Sequence, residues 1–415
     1  MKWPPMWKMT IVFPALVLMG VLAAPAQAES ACTDCHGNQA VMPHGQFVSP
    51  ESFAGTPHKR LACVQCHTDY EGKEEGHKKQ KAREVNCATC HETSAKVFKK
   101  SVHGLAADRG DPDAPKCRDC HGTHRILPSS APDSSTHPTN LEPICIKCHA
   151  DPGVISRHQL PDQNRIRDYE STVHWGSRQK VSGVAYCTSC HGTHAIFPAA
   201  NPESSVNRWN VAQTCGQCHE AIFSEFKQSV HGKAYLEKNK DVPVCTDCHR
   251  AHTIQGKASP TSVTYPTHIA TMCLRCHDKK PIALDPNIPG FRGKTYFASY
   301  HGVANLKGDI SVANCASCHS SHNIRKSSDP QSTVNAANIP ETCGKCHPGA
   351  GVNFSLGKIH VEGPTQTSSV AEVIGGIYTV LITATLSALA ALIGLDVYGR
   401  FRRRKAGRAS PGGAA

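Results

Sequence analysis

Two apolar stretches frame the 415-residue chain. The first, Thr10–Ala24, is largely apolar, follows Lys2 and Lys8, and precedes the small-residue pattern Ala26-Gln27-Ala28. Residues 1–28 therefore read as a Sec-type export signal. No cysteine stands at the cleavage point, which argues against a lipid anchor. The second stretch, Val373–Leu395, runs 23 residues without a charge, enough to cross a bilayer core as a helix. Arg400, Arg402, Arg403, Arg404 and Lys405 follow it, and such a cluster stays cytoplasmic. The ends agree on an exported body tethered to the inner membrane by one C-terminal span. Within that span Gly376, Thr379, Thr383, Ser387, Ala390 and Gly394 fall three or four residues apart, one stripe of a helix. Small stripes let helices approach closely in lipid, so a membrane-embedded partner is expected. Between the ends the expectation is mostly α and irregular: short helices, long loops rich in Pro and Gly, and almost no sheet.

Cysteine and histidine decide what that body is for. Only 6% of residues are aromatic, against 22 Cys and 26 His. Every cysteine falls in a C-x-x-C-H pentad. The thiol pairs are Cys32 and Cys35, Cys63 and Cys66, Cys87 and Cys90, Cys117 and Cys120, Cys145 and Cys148, Cys187 and Cys190, Cys215 and Cys218, Cys245 and Cys248, Cys273 and Cys276, Cys315 and Cys318, and Cys343 and Cys346. The histidines that follow are His36, His67, His91, His121, His149, His191, His219, His249, His277, His319 and His347. Two thiols at this spacing can each add across one haem vinyl group, and the next residue sets an imidazole under the iron. Zinc ribbons need no histidine directly after each pair, and disulfides need no pentad. The expected cofactor is haem c, eleven copies, covalently attached. About thirty residues per haem are too few for a side-chain core around each site, so the haems must supply most of the buried apolar surface. The apo-protein should not fold.

The formal charge of +12 includes the leader and the tail; over residues 29–370 it falls to 37 − 31 = +6. Haem propionates would lower it further, so the charge implies no nucleic-acid partner.

Spacing reveals an internal duplication. Cys117, Cys145, Cys187 and Cys215 recur 128 residues later as Cys245, Cys273, Cys315 and Cys343. His103, His124 and His194 recur at the same offset as His231, His252 and His322, and His174 recurs at +127 as His301. A fixed period this long marks a repeated module. The predicted organisation is a haem region at 29–102 (haems 1–3), four-haem modules at 103–230 and 231–360, a linker at 361–372, the span at 373–395 and a basic tail at 396–415.

Each iron needs a sixth ligand. Beyond the leader only Met42 and Met272 remain, so histidine is the expected donor. His103, His174, His231, His301 and His360 form one group, most in a Val-His-Gly-like setting. His124, His194, His252 and His322 form a second, in C-x-x-C-H-x-x-H. His44, His58 and His77 complete the candidates, twelve for eleven irons. His137, His158 and His268 lack counterparts in the other copy and are read as surface residues. Which candidate serves which haem is left open.

The rhythm of Ser-Val-His-Gly, C-x-x-C-H-Gly-Thr-His and C-x-x-C-H resembles the multihaem cytochromes with doubled pentads of anaerobically respiring bacteria, over roughly residues 30–347. From Lys358 through the Arg cluster the chain is similar to the end of the multihaem subunit in inner-membrane quinol oxidoreductase complexes. The resemblance implies bis-His, low-spin haems in a closely spaced row. It also implies a quinol-oxidising membrane partner such as a b-type cytochrome, and soluble periplasmic redox partners. On that reading the chain carries electrons between the membrane quinone pool and periplasmic acceptors. The competing class is a reductase or oxidase of a small nitrogen or sulfur compound at one five-coordinate haem; no catalytic residue is singled out for it.

Overall fold

The computed structural model describes residues 31–42, 46–73, 77, 81–160, 164–178, 183–279, 292–354, 360 and 369–407. The export signal and His44 lie outside them. Among the described residues regular structure is entirely helical, in short segments, with one long helix at the C-terminus. The chain divides into two compact units, 1–166 with 185–204, and 167–184 with 205–415.

The sequence period reappears in the helices. Glu92–Lys100, Val102–Asp108, Cys117–His121, Leu141–His149, Cys187–His191 and Val211–Gly216 recur as Glu220–Gln228, Val230–Leu236, Cys245–His249, Ile269–His277, Cys315–His319 and Ile339–Gly344. Every start is displaced by the same amount, for example 220 − 92 = 128.

Three devices build each copy. The first is a corner between two helices. Ser101, Ser229 and Ser299 cap the second helix by accepting from the amides of Gly104, Gly232 and Gly302. A Cβ at any of these glycines would overlap the carbonyl of Phe98, Phe226 or Tyr296, so the corner needs glycine. The helix thus begins with Val-His or Tyr-His, which sets the histidine in its first turn. Thr172 caps the helix of His174 likewise, with Trp175 in the place of the glycine.

The second is a reversal after the pentad. Gly122 and Gly192 take φ 79°, and Arg250 and Ser320 take φ 67° and 69°, all with ψ near 180°. The histidine two residues on is thereby turned away from the pentad that precedes it.

The third closes the long loop that follows. Ser134, Ser204, Ser262 and Ser332 are buried, and their hydroxyls donate to the carbonyls of Leu127, Phe197, Gln255 and Arg325 at 3.2–3.3 Å. The amides of Asn140 and Asn338 bond the carbonyls of Ser134 and Ser332, at 2.8 and 2.9 Å. In the loop of Ser262, Nδ1 of His268 donates to the Ser262 carbonyl at 2.7 Å instead. His268 is exposed, as expected, but it replaces an asparagine as a loop clasp.

Side-chain packing is sparse. Only Val211, Ala212, Tyr235, Val242, Val244, Ala270 and Tyr296 are buried hydrophobics among the described residues. Five of them form one cluster beside Trp209, Phe223 and Phe226 in the second unit. So little apolar burial cannot offset the entropy of ordering these loops, which requires another source of buried surface.

The C-terminal helix runs Ser369–Gly407, and Val373–Lys405 is long and apolar enough to cross a membrane. It thus starts inside the expected linker and continues through the basic cluster. Thr379, Thr383 and Thr385 donate their hydroxyls to the carbonyls of Gly375, Thr379 and Leu381, at 2.7–2.8 Å. Those bonds satisfy the polar groups within the helix itself, as a lipid setting demands.

Candidate haem sites

In the five-residue pentad helices, Cys117–His121 and its three counterparts, the second cysteine and the histidine lie three and four residues from the first cysteine and share its face. None of the 22 cysteines is in a disulfide.

Ten of the eleven pentad histidines face a spare histidine at nearly constant separation. The ring centres are 6.0 Å apart in His36–His77, His58–His91 and His67–His124. They are 6.1 Å in His103–His149, 5.9 Å in His121–His194 and 6.3 Å in His174–His219. In the second copy His231–His277 measures 6.2 Å, His249–His322 5.9 Å, His301–His347 6.1 Å and His319–His360 6.3 Å. A metal between two imidazoles bonds each nitrogen at about 2.0–2.1 Å, and each ring centre lies about 1.1 Å further, giving roughly 6.2–6.4 Å. Rings in van der Waals stacking would sit closer, and unrelated rings would scatter. The donor set therefore fits an iron between each pair. His191 lies in the first unit and His252 in the second; each has contacts of its own.

The pairing follows a rule that spacing alone could not supply. Four of the five histidines in the first group face a pentad ahead of them: 149 − 103, 277 − 231 and 347 − 301 are all 46, and 219 − 174 is 45; the fifth, His360, faces back to His319. Histidines of the C-x-x-C-H-x-x-H group reach back, and 194 − 121 and 322 − 249 are both 73. The two classes are tied together. The amides of Val102, Val173 and Val230 donate to the carbonyls of Ile196, Ile254 and Ile324, each two residues beyond a second-group histidine.

Residues 178–361 match the family model "Outer membrane cytochrome MtrC/MtrF-like, domains II/IV". The chain is also similar to multiheme cytochrome MtrA of Shewanella baltica (strain OS185), 24% identical over 207 residues. That match takes in 47% of this chain and 53% of the relative, so the chain spans about half the length of the curated relative it matches. No solved structure matches. The matches support the multihaem c-type cytochrome family. That family carries covalently bound c-type haem.

The surroundings of the pairs suit imidazoles that bind metal. Burial lowers the pKa of His103, His121, His124, His149, His174, His249, His277, His301 and His319, and takes His231 down to about 4. Burial thus favours the neutral imidazole, which is the form that binds metal. Successive pentads also adjoin. The thiols of Cys87 and Cys117, Cys145 and Cys187, Cys215 and Cys245, and Cys273 and Cys315 lie within hydrogen-bond reach of one another. Cys66 lies within electrostatic reach of Cys90, Cys120 of Cys148, Cys248 of Cys273 and Cys318 of Cys343. At the start of the row His124 feels both His67 and His36. Each unit therefore strings its pentads in chain order.

Three buried polar atoms, His67 Nδ1, Arg178 Nη1 and Arg208 Nε, have no hydrogen-bond partner among the described residues. Arg178 lies one turn beyond His174, and its guanidinium is 2.9 Å from the Trp175 ring centre. A half-buried guanidinium with a buried, unpaired Nη1 beside a candidate iron ligand suits a carboxylate-bearing group such as haem. Asp111, Asp113 and His158 also lie close enough to one another to hold a cation. There, however, Arg157 binds Asp113 through two nitrogens at 2.7 and 2.9 Å and already meets the charge. His158 is thus part of an ion-pair cluster, and His137, bonded to Thr139 Oγ1 at 2.7 Å, is a turn cap.

Proposed function

We propose that this chain is a membrane-tethered electron conduit with eleven covalently attached haems. It would connect the quinone pool of the inner membrane, through a membrane-embedded partner such as a b-type cytochrome, to periplasmic redox proteins. The observation that carries the reading is the set of ten histidine pairs at 5.9–6.3 Å along pentads that adjoin in chain order. Bound haem iron supplies a one-electron ferric–ferrous couple at each site. The cysteines would anchor each haem and the paired histidines would hold its iron, an arrangement suited to outer-sphere electron transfer rather than chemistry on a small molecule. The assigned pairs are those given above, His36 with His77 through His319 with His360. Residues 103–230 and 231–360 are read as two copies of one four-haem module.

The membrane assignment rests on the apolar helix at Val373–Lys405 and the basic residues within its last turns, since outer-membrane spans are β-barrels and cytoplasmic flanks are basic. The export signal at 1–28 and the small-residue stripe from Gly376 to Gly394 complete the reading. Electron paramagnetic resonance of the oxidised, purified protein, with haem content by mass spectrometry, tests it. Eleven haems with only low-spin signals are expected. A high-spin component would mean an open iron, and reduction of small nitrogen or sulfur compounds would then become the leading function.

A further inference from the structure

His360 is the last candidate ligand before the C-terminal helix, and its ring centre lies 6.3 Å from that of His319. A neutral imidazole has one N–H, and the nitrogen that binds a metal cannot carry it. What the other nitrogen touches therefore decides which one is free for iron. Nδ1 of His360 lies 2.9 Å from Oγ1 of Thr295. The same hydroxyl lies 3.0 Å from the carbonyl of Arg292, which can only accept. A hydroxyl that donates to the Arg292 carbonyl presents its lone pair to His360, and Nδ1–H of His360 then donates to it.

The support beneath Thr295 is firm. Its helix, Arg292–Phe297, closes against Ile269–His277 at Gly293, where a Cβ would fall 2.8 Å from Leu274 Cδ1 and Asp278 Oδ2. Tyr296 is buried and donates its hydroxyl to the Ala313 carbonyl at 3.0 Å. By contrast, Nδ1 of His36 and His77 bond main-chain carbonyls, those of Gln46 and Lys73 at 2.8 and 3.2 Å. At His360 a side chain takes that part, and a side chain can be exchanged without moving the backbone.

We propose that Thr295 is the positioning residue of the His319–His360 site, selecting the Nδ1–H tautomer of His360 and turning Nε2 toward the iron. The proposal rests on the axial pairing given above. Its effect is to keep this site closed to small ligands.

The test uses the full-length, haem-loaded protein in detergent, reduced with dithionite and mixed with carbon monoxide, which binds only where a histidine has left the iron. Thr295→Val should raise the rate of carbon monoxide binding at one haem about tenfold, the lower end of the effect of losing such a partner. Thr295→Ser should restore the parent rate, and His360→Ala should open one haem per chain outright. If His360→Ala opens a haem while Thr295→Val behaves as the parent, the role of Thr295 is overturned and the pairing stands. If His360→Ala opens none, the pairing falls and the proposal with it. A loss of haem content or melting temperature shared by Thr295→Val and Thr295→Ser would make Thr295 a packing residue, which also overturns the proposal.

Discussion

Arg250 and Ser320 hold a backbone conformation that glycine holds at the same place elsewhere in the chain. Their φ, ψ values are 67°, −176° and 69°, 171°; Gly122 and Gly192 have 79°, −168° and 79°, −177°. Residues with a Cβ almost never occupy this region, and holding one there costs of order 1–3 kcal/mol. Replacement by glycine removes that strain but adds about 0.5–1 kcal/mol of chain entropy to the unfolded state. Arg250→Gly and Ser320→Gly should each stabilise the fold by up to about 2.5 kcal/mol net. In melting temperature that is about 2–4 °C per kcal/mol for a body of 150–250 residues. Thermal unfolding of the haem-loaded protein, followed by the Soret band and by calorimetry, reads it. The reciprocal variants guard against a packing explanation. A Cβ at Gly122 or Gly192 would meet nothing closer than the carbonyl of Arg125 at 3.9 Å or of Ala195 at 3.5 Å. Gly122→Ala and Gly192→Ala should therefore destabilise through the backbone alone. Lower melting in both glycine variants, with unchanged melting in both alanine variants, would refute the argument.

Other expectations follow from the same geometry. Hydrogen bonds from Arg157 and His158 hold Asp113 well below the usual carboxylate range, at about 2. Its stabilisation is present above the ordinary value of 3.8 and is lost as pH falls through about 2. The difference in stability between the parent and Asp113→Asn should accordingly shrink as pH falls below about 4. Gly232→Ala forces a Cβ onto the Phe226 carbonyl and should cost about 1–3 kcal/mol or more, with a high-spin signal from the His231–His277 site. Retention of the low-spin spectrum at unchanged melting would count against that corner. On the proposed function, changing both Gly376 and Ser387 to Leu should release the proposed membrane partner during purification in detergent; an intact complex would make the small-residue stripe irrelevant.

Much of this protein is written in local chemistry. The pentads, the apolar ends and the period of 128 can be read from residues alone, since covalent attachment and membrane crossing impose strict local patterns. The two contexts of spare histidine are equally visible. Their partners are not, because His103 and His149 meet only after the glycine corner folds one helix back on another. Where the less patterned candidates sit is likewise a tertiary matter: His58, His77 and His360 each face a pentad histidine. His268 is a further case. Its work as a loop clasp is legible only once Ser262 is seen buried where Ser134 and Ser332 are buried beside asparagines. Thr295 carries no motif at all, being 65 residues from the histidine it touches.

The forward and backward reach of the second histidines has a bearing on how the molecule is made. A chain emerges from its N-terminus, so pentads served from upstream, such as those of His149 and His277, meet a second imidazole that is already present. Those of His121 and His249 must wait 194 − 121 = 322 − 249 = 73 further residues, some 240–260 Å of extended polypeptide. On the proposed pairing, a half-translocated chain alternates finished and unfinished centres. On the proposed function the unfinished ones would bind stray ligands and react with oxidants during that interval, so biogenesis would be the stage at which the chain is chemically most exposed.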